Sequence, residues 1–377
     1  TVGDLDLVVA APNGTAVGDA LAAFEEVATV LAKGPTRTSV VLASGLQVDL
    51  RVVQPDSFGA ALVYFTGSRS HTIALRERAK ARGLKLNEYG VFRGDTRIAG
   101  RTEEDVYEAL GLAFIPPELR EDRGEIAAAA EGRLPRLIAL SDIRGDLHVH
   151  TDASDGRESL DAMVLAARAR GYGYVAITDH SAHAKVAHGL DVTRLSAQLD
   201  AIDRLNARLQ GIAALKASEV DILKDGRLDL PDEALARLDL VVAAIHSDFG
   251  LSRGEQTRRL LRAMDHPRVS IIAHPTGRLL GAREGYAVDM DAVIAHARNR
   301  GCALEINAHP SRLDLNDIQA RAAKSAGARL SIGSDAHTSL GLGHMRLGVD
   351  QARRAWIEPQ NTLNTRSWPE LKALIAR

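Results

Sequence analysis

Gly145-Asp146-Leu147-His148-Val149-His150-Thr151-Asp152-Ala153-Ser154-Asp155-Gly156 is the stretch on which the fold turns. Side chains alternate across an extended strand, so His148 and His150 share a face, and the Asp155 carboxylate can fold back beside them. That outlines a metal site. A His-x-His pair alone is equally an ordinary hydrogen-bonding pair at a strand end, and its weight comes from repetition. Apolar runs ending in the same residue types recur at Tyr174-Val175-Ala176-Ile177-Thr178-Asp179-His180, Ala217-Ser218-Glu219-Val220-Asp221 and Leu240-Val241-Val242-Ala243-Ala244-Ile245-His246. Val269-Ser270-Ile271-Ile272-Ala273-His274 and Leu330-Ser331-Ile332-Gly333-Ser334-Asp335-Ala336-His337 continue the series.

Working outward, strand-like segments ending near residues 150, 180, 221, 246, 274, 307 and 337 are mostly separated by helical spacing, including 160–170, 192–208, 254–264, 291–300 and 315–326. Apolar runs of this length fit strands buried on both faces with amphipathic helices outside. The pattern predicts parallel β/α units closing into a barrel of seven strands, one short of the usual eight. Chemistry in such barrels sits at the C-terminal strand ends, where the His, Asp and Glu residues fall.

The remaining 144 residues precede this pattern in a chain of 377, long enough for two or three cores. A hydrophobic share of 45% with 25% charged residues is a soluble globular balance, and the net charge of −2 predicts that any polyanion-binding surface is local. No apolar run has membrane-span length, and the N-terminus has no signal layout. A lone cysteine, Cys302, cannot form an internal disulfide, which suits a cytoplasmic setting.

Residues 1–53 read as strand, helix, strand, strand: an apolar strand over 5–10, helical spacing over 17–33, and a hairpin of 38–43 and 47–53 about Ser44-Gly45. Asp4 and Asp6 share a face of the first strand, and Asp49 lies on a strand that could pair with it. Three converging carboxylates can hold two hard divalent cations about 3.5–4 Å apart, although solvated acids at strand ends look the same in sequence. Beyond Tyr64-Phe65-Thr66-Gly67-Ser68, a helix over 70–82 and a strand over 85–92 are expected. Between Arg69 and Arg93 lie seven Lys or Arg against two acids, the local excess suited to phosphate-backbone contact or to a solvated basic helix. His71, His266 and His296 read as surface residues.

Gly3-Asp4-Leu5-Asp6, Val48-Asp49-Leu50-Arg51 and Tyr64-Phe65-Thr66-Gly67-Ser68 resemble palm and thumb motifs of family X DNA polymerases. From Gly145 onward the chain resembles the PHP (polymerase and histidinol phosphatase) domain that bacterial members carry. The resemblance implies an α/β protein: a distorted (β/α)7 PHP barrel preceded by an α+β nucleotidyltransferase palm fragment and thumb. It divides the chain into a partial palm (1–53), a thumb (54–115), a linker (116–143) and the PHP phosphoesterase domain (144–377). Asp4, Asp6 and Asp49 would hold Mg or Mn for nucleotidyl transfer, while Tyr64, Phe65 and Gly67 would line the incoming dNTP. The triphosphate-gripping Gly-Ser element, the fingers and the lyase-like domain of that family do not precede the Gly3-Asp4-Leu5-Asp6 loop here, so the chain is expected to be N-terminally incomplete and to polymerise poorly.

Nine residues match the family's PHP ligands. By resemblance, His148, His150, Glu219 and Asp335 would take one metal; Glu219, His246 and His274 a second; Asp155, His180 and His337 a third. Such ligands suit Mn, Zn or Fe. Three cations can hold a phosphodiester, activate water and steady the departing oxygen. Arg278 could grip a substrate phosphate or form a surface ion pair, and Asp179 could orient a ligand ring or cap its loop. Asn307 sits at the same face, and His183, His188 and His344 read as solvated loop residues. The resulting expectation is a Mn- or Zn-dependent 3′–5′ exonuclease on gapped or 3′-ended duplex and single-stranded DNA, with abasic-site endonuclease and 3′-phosphatase action in base-excision repair. The alternative is a small-molecule phosphatase of the histidinol-phosphatase type.

Overall fold

The computed structural model describes residues 3–375, in two compact units divided between Leu134 and Pro135. The first begins with β1 (Asp4–Ala10), α1 (Gly14–Ala22), β2 (Val27–Lys33), β3 (Arg37–Leu42) and β4 (Gln47–Val53). These strands form one sheet in the order β1-β4-β3-β2, with β1 parallel to β4 and the β3–β4 hairpin antiparallel. The helix expected over 17–33 ends early, because Val27, Thr29 and Val30 are β-branched and pair with β3 as an edge strand.

Helices α2 (Phe58–Thr66) and α3 (Arg69–Ala81) lead to a small antiparallel sheet of β5 (Lys85–Asn87), β6 (Gly90–Arg93) and β7 (Thr96–Ala99). The single strand expected over 85–92 is thus a hairpin: it reverses at Glu88-Tyr89, where Gly90 takes a φ of 148° that a side chain would resist. Helices α4 (Glu103–Ala109) and α5 (Glu125–Ala130) complete this unit. His71, expected on the surface, is fully buried: its Nδ1 lies 2.6 Å from Glu125 Oε1 and its Nε2 2.9 Å from the Tyr107 hydroxyl. A polar side chain inside a mixed helix face shows no sequence signal when its partner lies 54 residues away.

The second unit alternates β8 (Gly145–Val149), α6 (Leu160–Ala169), β9 (Tyr174–Ile177), α7 (Val192–Asn206), β10 (Ala213–Asp221), α8 (Asp232–Leu235), β11 (Leu240–Ala244) and α9 (Arg253–Asp265). Then come β12 (Val269–Ile272), α10 (Met290–Arg300), β13 (Ala303–Asn307), α11 (Asp317–Ser325), β14 (Arg329–Gly333), α12 (Met345–Arg354) and α13 (Trp368–Ile375). The seven strands run parallel in sequence order. The seam between first and last strand is closed by a few bonds: His150 N to Ala336 O at 2.9 Å, Asp335 N to His148 O at 3.0 Å, and buried Asp146 accepting from Ser334 N at 3.1 Å. Farther along the seam, the buried Asn364 amide donates to Gly145 O and Ile332 O at 3.0 and 2.9 Å. This is a nearly closed (β/α)7 barrel.

Alternate residues build two cores. Val175, Val241, Ile272, Leu304 and Ile332 pack with the helices, whereas Leu147, Ala176, Ala217, Val242, Ala244 and Ala273 form a separate cluster with Leu363 and Leu371. The second set, which also holds Tyr174, Leu215, Leu240 and Ile271, fills the barrel interior. Glu219 continues the 215–217 row and His246 the 240–242–244 row, so strand alternation itself directs these side chains to one place. Among the described residues no helix is long and apolar enough to cross a membrane.

Glu125 also accepts the amides of Asp122 and Arg123 at 2.8 and 2.7 Å, so removing it strands three buried or half-buried donors. Glu125→Ala is expected to destabilise the first unit by about 2–4 kcal/mol, seen as an earlier urea transition of the full chain. An unchanged transition would refute the buried-pair account.

Candidate metal centre

Six histidine rings and three carboxylates meet at the C-terminal mouth of the barrel. His148, His150 and Asp335 offer ligand atoms within 4.8 Å of one another; so do His180, Glu219 and His246, and so do His150, Asp155, His180 and His337. These groupings differ from the expected sets in four ways: Glu219 is not grouped with His148, His150 and Asp335, His150 joins Asp155, His180 and His337, and the other two concern His180 and His274. His180 also joins the Glu219 group, and His274 meets Glu219 alone, with Nε2 2.8 Å from Oε1. Glu219 lies at the centre, its oxygens 3.3 Å from His148, 3.5 Å from His150, 3.1 Å from His180 and 3.3 Å from His246.

The donor set fits divalent cations. His148 Nε2, both ring nitrogens of His150 and His180 Nδ1 are buried without a hydrogen-bond partner, a cost a protein bears only where another ligand can satisfy them. His274 and Asp335 adopt left-handed backbone at φ 29° and 53°, which side chains resist and which concentrates at functional sites. Burial opposes charge on Glu219 and Asp335, yet the surrounding histidines hold both carboxyls well below their usual range. Burial also opposes charge on His246, but Glu219 and Asp221 outweigh it and push the ring up to about 10.

Neighbours omitted from the sequence-based ligand set fix the rings. Buried Glu305 reaches His148 Nδ1 at 2.7 Å and the His274 amide at 2.8 Å. Asp221 holds His246 Nδ1 at 2.9 Å. A carboxylate behind a ligating imidazole sets its tautomer and raises its basicity. Both lie on the same strand ends as residues already singled out, so strand parity could have found them. Asn307 donates to both Glu305 and Asp335 at 3.1 Å. Asp179 touches no ligand ring; it accepts from Thr151 N, Thr151 Oγ1 and Ser154 Oγ, capping the loop that carries Asp155.

Arg278 gives its guanidinium to the carbonyls of Arg312 (2.8 Å) and Leu313. Its neighbour Arg312 instead lines the cavity above the ligands, with Nε 3.4 Å from Asp335. Asp314, buried, accepts Thr276 N and Gly277 N at 2.9 and 3.0 Å, so two loops clamp one another and present Arg312. Burial, and then the Arg312 charge, lower His274 to about 3.

In the first unit, Asp6 pairs in register with Asp49, and Asp4 with Gln47. Asp49 accepts from Ser39, from Arg37 at 3.0 Å and from Gln47 at 2.7 Å; the Ser39 bond is the main cause of its lowered pKa. Partial burial, then repulsion from Asp4 and Asp49, raise Asp6. The tight ligand groups among the described residues nonetheless all lie in the barrel. Tyr64 and Phe65 end α2 edge to face at 5.1 Å, Arg51 stands over the Phe65 ring at 5.3 Å, and Gly67 follows at φ 70°.

Residues 61–121 match the DNA polymerase beta thumb and residues 146–309 the PHP domain. Over 381 aligned residues the chain is 42% identical to the DNA polymerase/3'-5' exonuclease PolX of Bacillus subtilis, an alignment covering 100% of this chain. The chain belongs to the bacterial family X DNA polymerases that carry a PHP domain. It spans 66% of that relative's length. This family X chain is also 30% identical over 230 residues to a probable phosphatase of Syntrophotalea carbinolica, covering 58% of this chain and 90% of that protein. A histidinol phosphate phosphatase from Lactococcus lactis, complexed with Zn, L-histidinol and phosphate, is 15% identical, covers 55% of this chain and 93% of its own, and gives a TM-score of 0.39.

Gly333 has no room for a side chain, because a Cβ there would collide with Glu305 Oε1 and His148 Cβ. Gly333→Ala and Glu305→Gln are both expected to weaken Mn or Zn affinity by about 10- to 100-fold while leaving the circular dichroism unchanged. Full metal occupancy of either variant, measured by titration calorimetry, would show that Glu305 does not support His148.

Proposed function

We propose that the barrel hydrolyses DNA phosphodiesters at 3′ ends. The observation that carries this reading is the convergence of Asp155, His180, Glu219, His246, His274, Asp335 and His337 on one cavity, with His148 and His150 buried against Glu219 beneath it. Its setting is a chain 42% identical throughout to a relative named as a polymerase and 3'-5' exonuclease. When bound, Mn or Zn ions would supply Lewis acidity and a nucleophilic water. The chain's own residues do the rest. Glu219 ties the ligand groups together, Glu305 and Asp221 fix the His148 and His246 rings, and Arg312 draws a phosphate oxygen towards the ligands. Abasic-site cleavage and 3′-phosphate removal demand the same handling of a phosphate ester.

In the same reading, residues 1–53 are palm, 54–115 thumb, 116–143 linker and 144–377 the phosphoesterase domain, in a cytoplasmic repair enzyme. Asp4, Asp6 and Asp49 hold Mg or Mn for gap-filling synthesis, and Tyr64, Phe65 and Gly67 contact the dNTP. The phosphatase relative supports a second reading, in which a small phosphate monoester is the substrate.

With a 5′-labelled single strand and a gapped duplex in Mn, Zn or Mg, stepwise shortening from the 3′ end is expected. It should fall by about 100-fold or more in His148→Ala and persist in Asp4→Ala. DNA left intact in every metal, with a small monoester cleaved, would hand the barrel to the phosphatase reading.

At neutral pH in the metal-free protein, His246 and His337, raised to about 10 and about 9 against the opposing effect of burial, carry protons that must leave before they ligate. Mn or Zn binding is therefore expected to release protons and to tighten as pH rises from about 6 to 8. Calorimetry in buffers of different ionisation enthalpy measures this, and affinity independent of pH would count against these rings as ligands.

A further inference from the structure

The metal ligands occupy only part of the cavity above them. Its volume is about 550 Å³, within the roughly 300–1,000 Å³ range of sites for whole small molecules and far more than a phosphate group fills. One wall is polar, with Asp155, His180, Glu219, Asp335 and Arg312. The loop 183–187 lines the rest, contributing Ala184, Val186 and Ala187 together with His183 and Lys185. Val186 is 98% exposed, the highest among the large apolar side chains of the described residues.

This loop is built to hold that position. Leu190 N bonds His180 O at 2.7 Å, closing the loop at its base, and Gly189 N and Ala187 N both return to Ala184 O, at 3.2 and 3.0 Å. Asp229 takes the His183 amide at 2.6 Å. Arg194 bonds the carbonyls of His188, Gly189 and Ala153 at 2.8, 3.1 and 2.5 Å, linking the loop to the segment that carries Asp155. The exposed Val186 between Ala184 and Ala187 puts apolar surface beside the charged ligand residues of the cavity, and a flat apolar partner suits it. Of the parts of a nucleotide, only the base offers one, and its phosphate would lie across the cavity at Arg312 and the metal ligands. Lys185, exposed beside Val186, is placed for the next phosphate along the strand.

We propose that the 183–187 loop is a platform for the terminal nucleobase, with Val186 packing against the base of the 3′ nucleotide whose phosphodiester is cut. This rests on the reading of the barrel as a DNA 3′-end phosphodiesterase, and makes that site one for a nucleotide unit rather than for any phosphate ester.

The test uses the full chain loaded with Mn and compares wild type with Val186→Asp and Val186→Ala on three substrates: an ordinary 3′ end, a 3′ end whose last residue is a base-less tetrahydrofuran nucleotide, and p-nitrophenyl phosphate. Val186 is exposed, so neither substitution disturbs folding. The expected result is a loss of about five- to tenfold in kcat/KM for Val186→Asp on the ordinary end, with a smaller loss for Val186→Ala. Wild type should cleave the base-less end more slowly, the substitutions should cost nothing further there, and p-nitrophenyl phosphate hydrolysis should stay within about twofold. Equal losses on all three substrates, or undiminished cleavage of the ordinary end by Val186→Asp, overturn the platform while leaving the phosphodiesterase reading intact. A wild-type chain that cleaves p-nitrophenyl phosphate but no DNA rejects that reading, and the platform with it.

Discussion

Five imidazoles stand around one buried carboxylate. Glu219, 1% exposed, has His148, His150, His180, His246 and His274 all within 3.5 Å. Gathering this many ionisable groups away from water is costly unless they are paired or bound to metal, and the barrel is arranged to make the gathering possible. Its interior rows set Ala176, Ala217, Ala244 and Ala273 among larger residues such as Leu147, Leu215 and Leu240, and the rows end in the residues that meet at Glu219. The bend at His274 and the one at Asp335 turn side chains inward where regular strand geometry would not.

A second layer fixes what the first brings together. Glu305, Asp221 and Asn307 hold ligand groups by hydrogen bonds of 2.7–3.1 Å, and Asp179 holds the loop of Asp155. Arg278 works at one further remove, through the carbonyls that set Arg312 in place. The division of labour separates groups that can touch a cation or a phosphate from those that restrict where the first can go.

Most of the barrel was legible in the sequence because one physical rule, alternation along buried strands, governs its apolar rows, whereas the candidate ligand set rested on the family resemblance. That Arg312 lines the cavity while Arg278 bonds loop carbonyls was not legible. Which of two arginines faces a cavity depends on the packing of two loops, and Asp314 decides it from the far side of both. His71 failed for a related reason, since burial of a polar residue depends on a distant partner. The strand Val27–Lys33 was missed because its apolar spacing suits a helix, and its β-branched residues carry the contrary signal only weakly.

The barrel seam has a bearing on how the protein is made. His148 lies on the first barrel strand and Asp335 just beyond the last, and the two are joined by bonds across that seam, while Asn364 fastens Gly145 to Ile332. During synthesis, then, the earliest candidate ligand residues must wait for residues some 200 positions later before the seam bonds that hold their strand can form. A chain stopped within the barrel carries these histidines without the seam bonds that tie the first strand to the last.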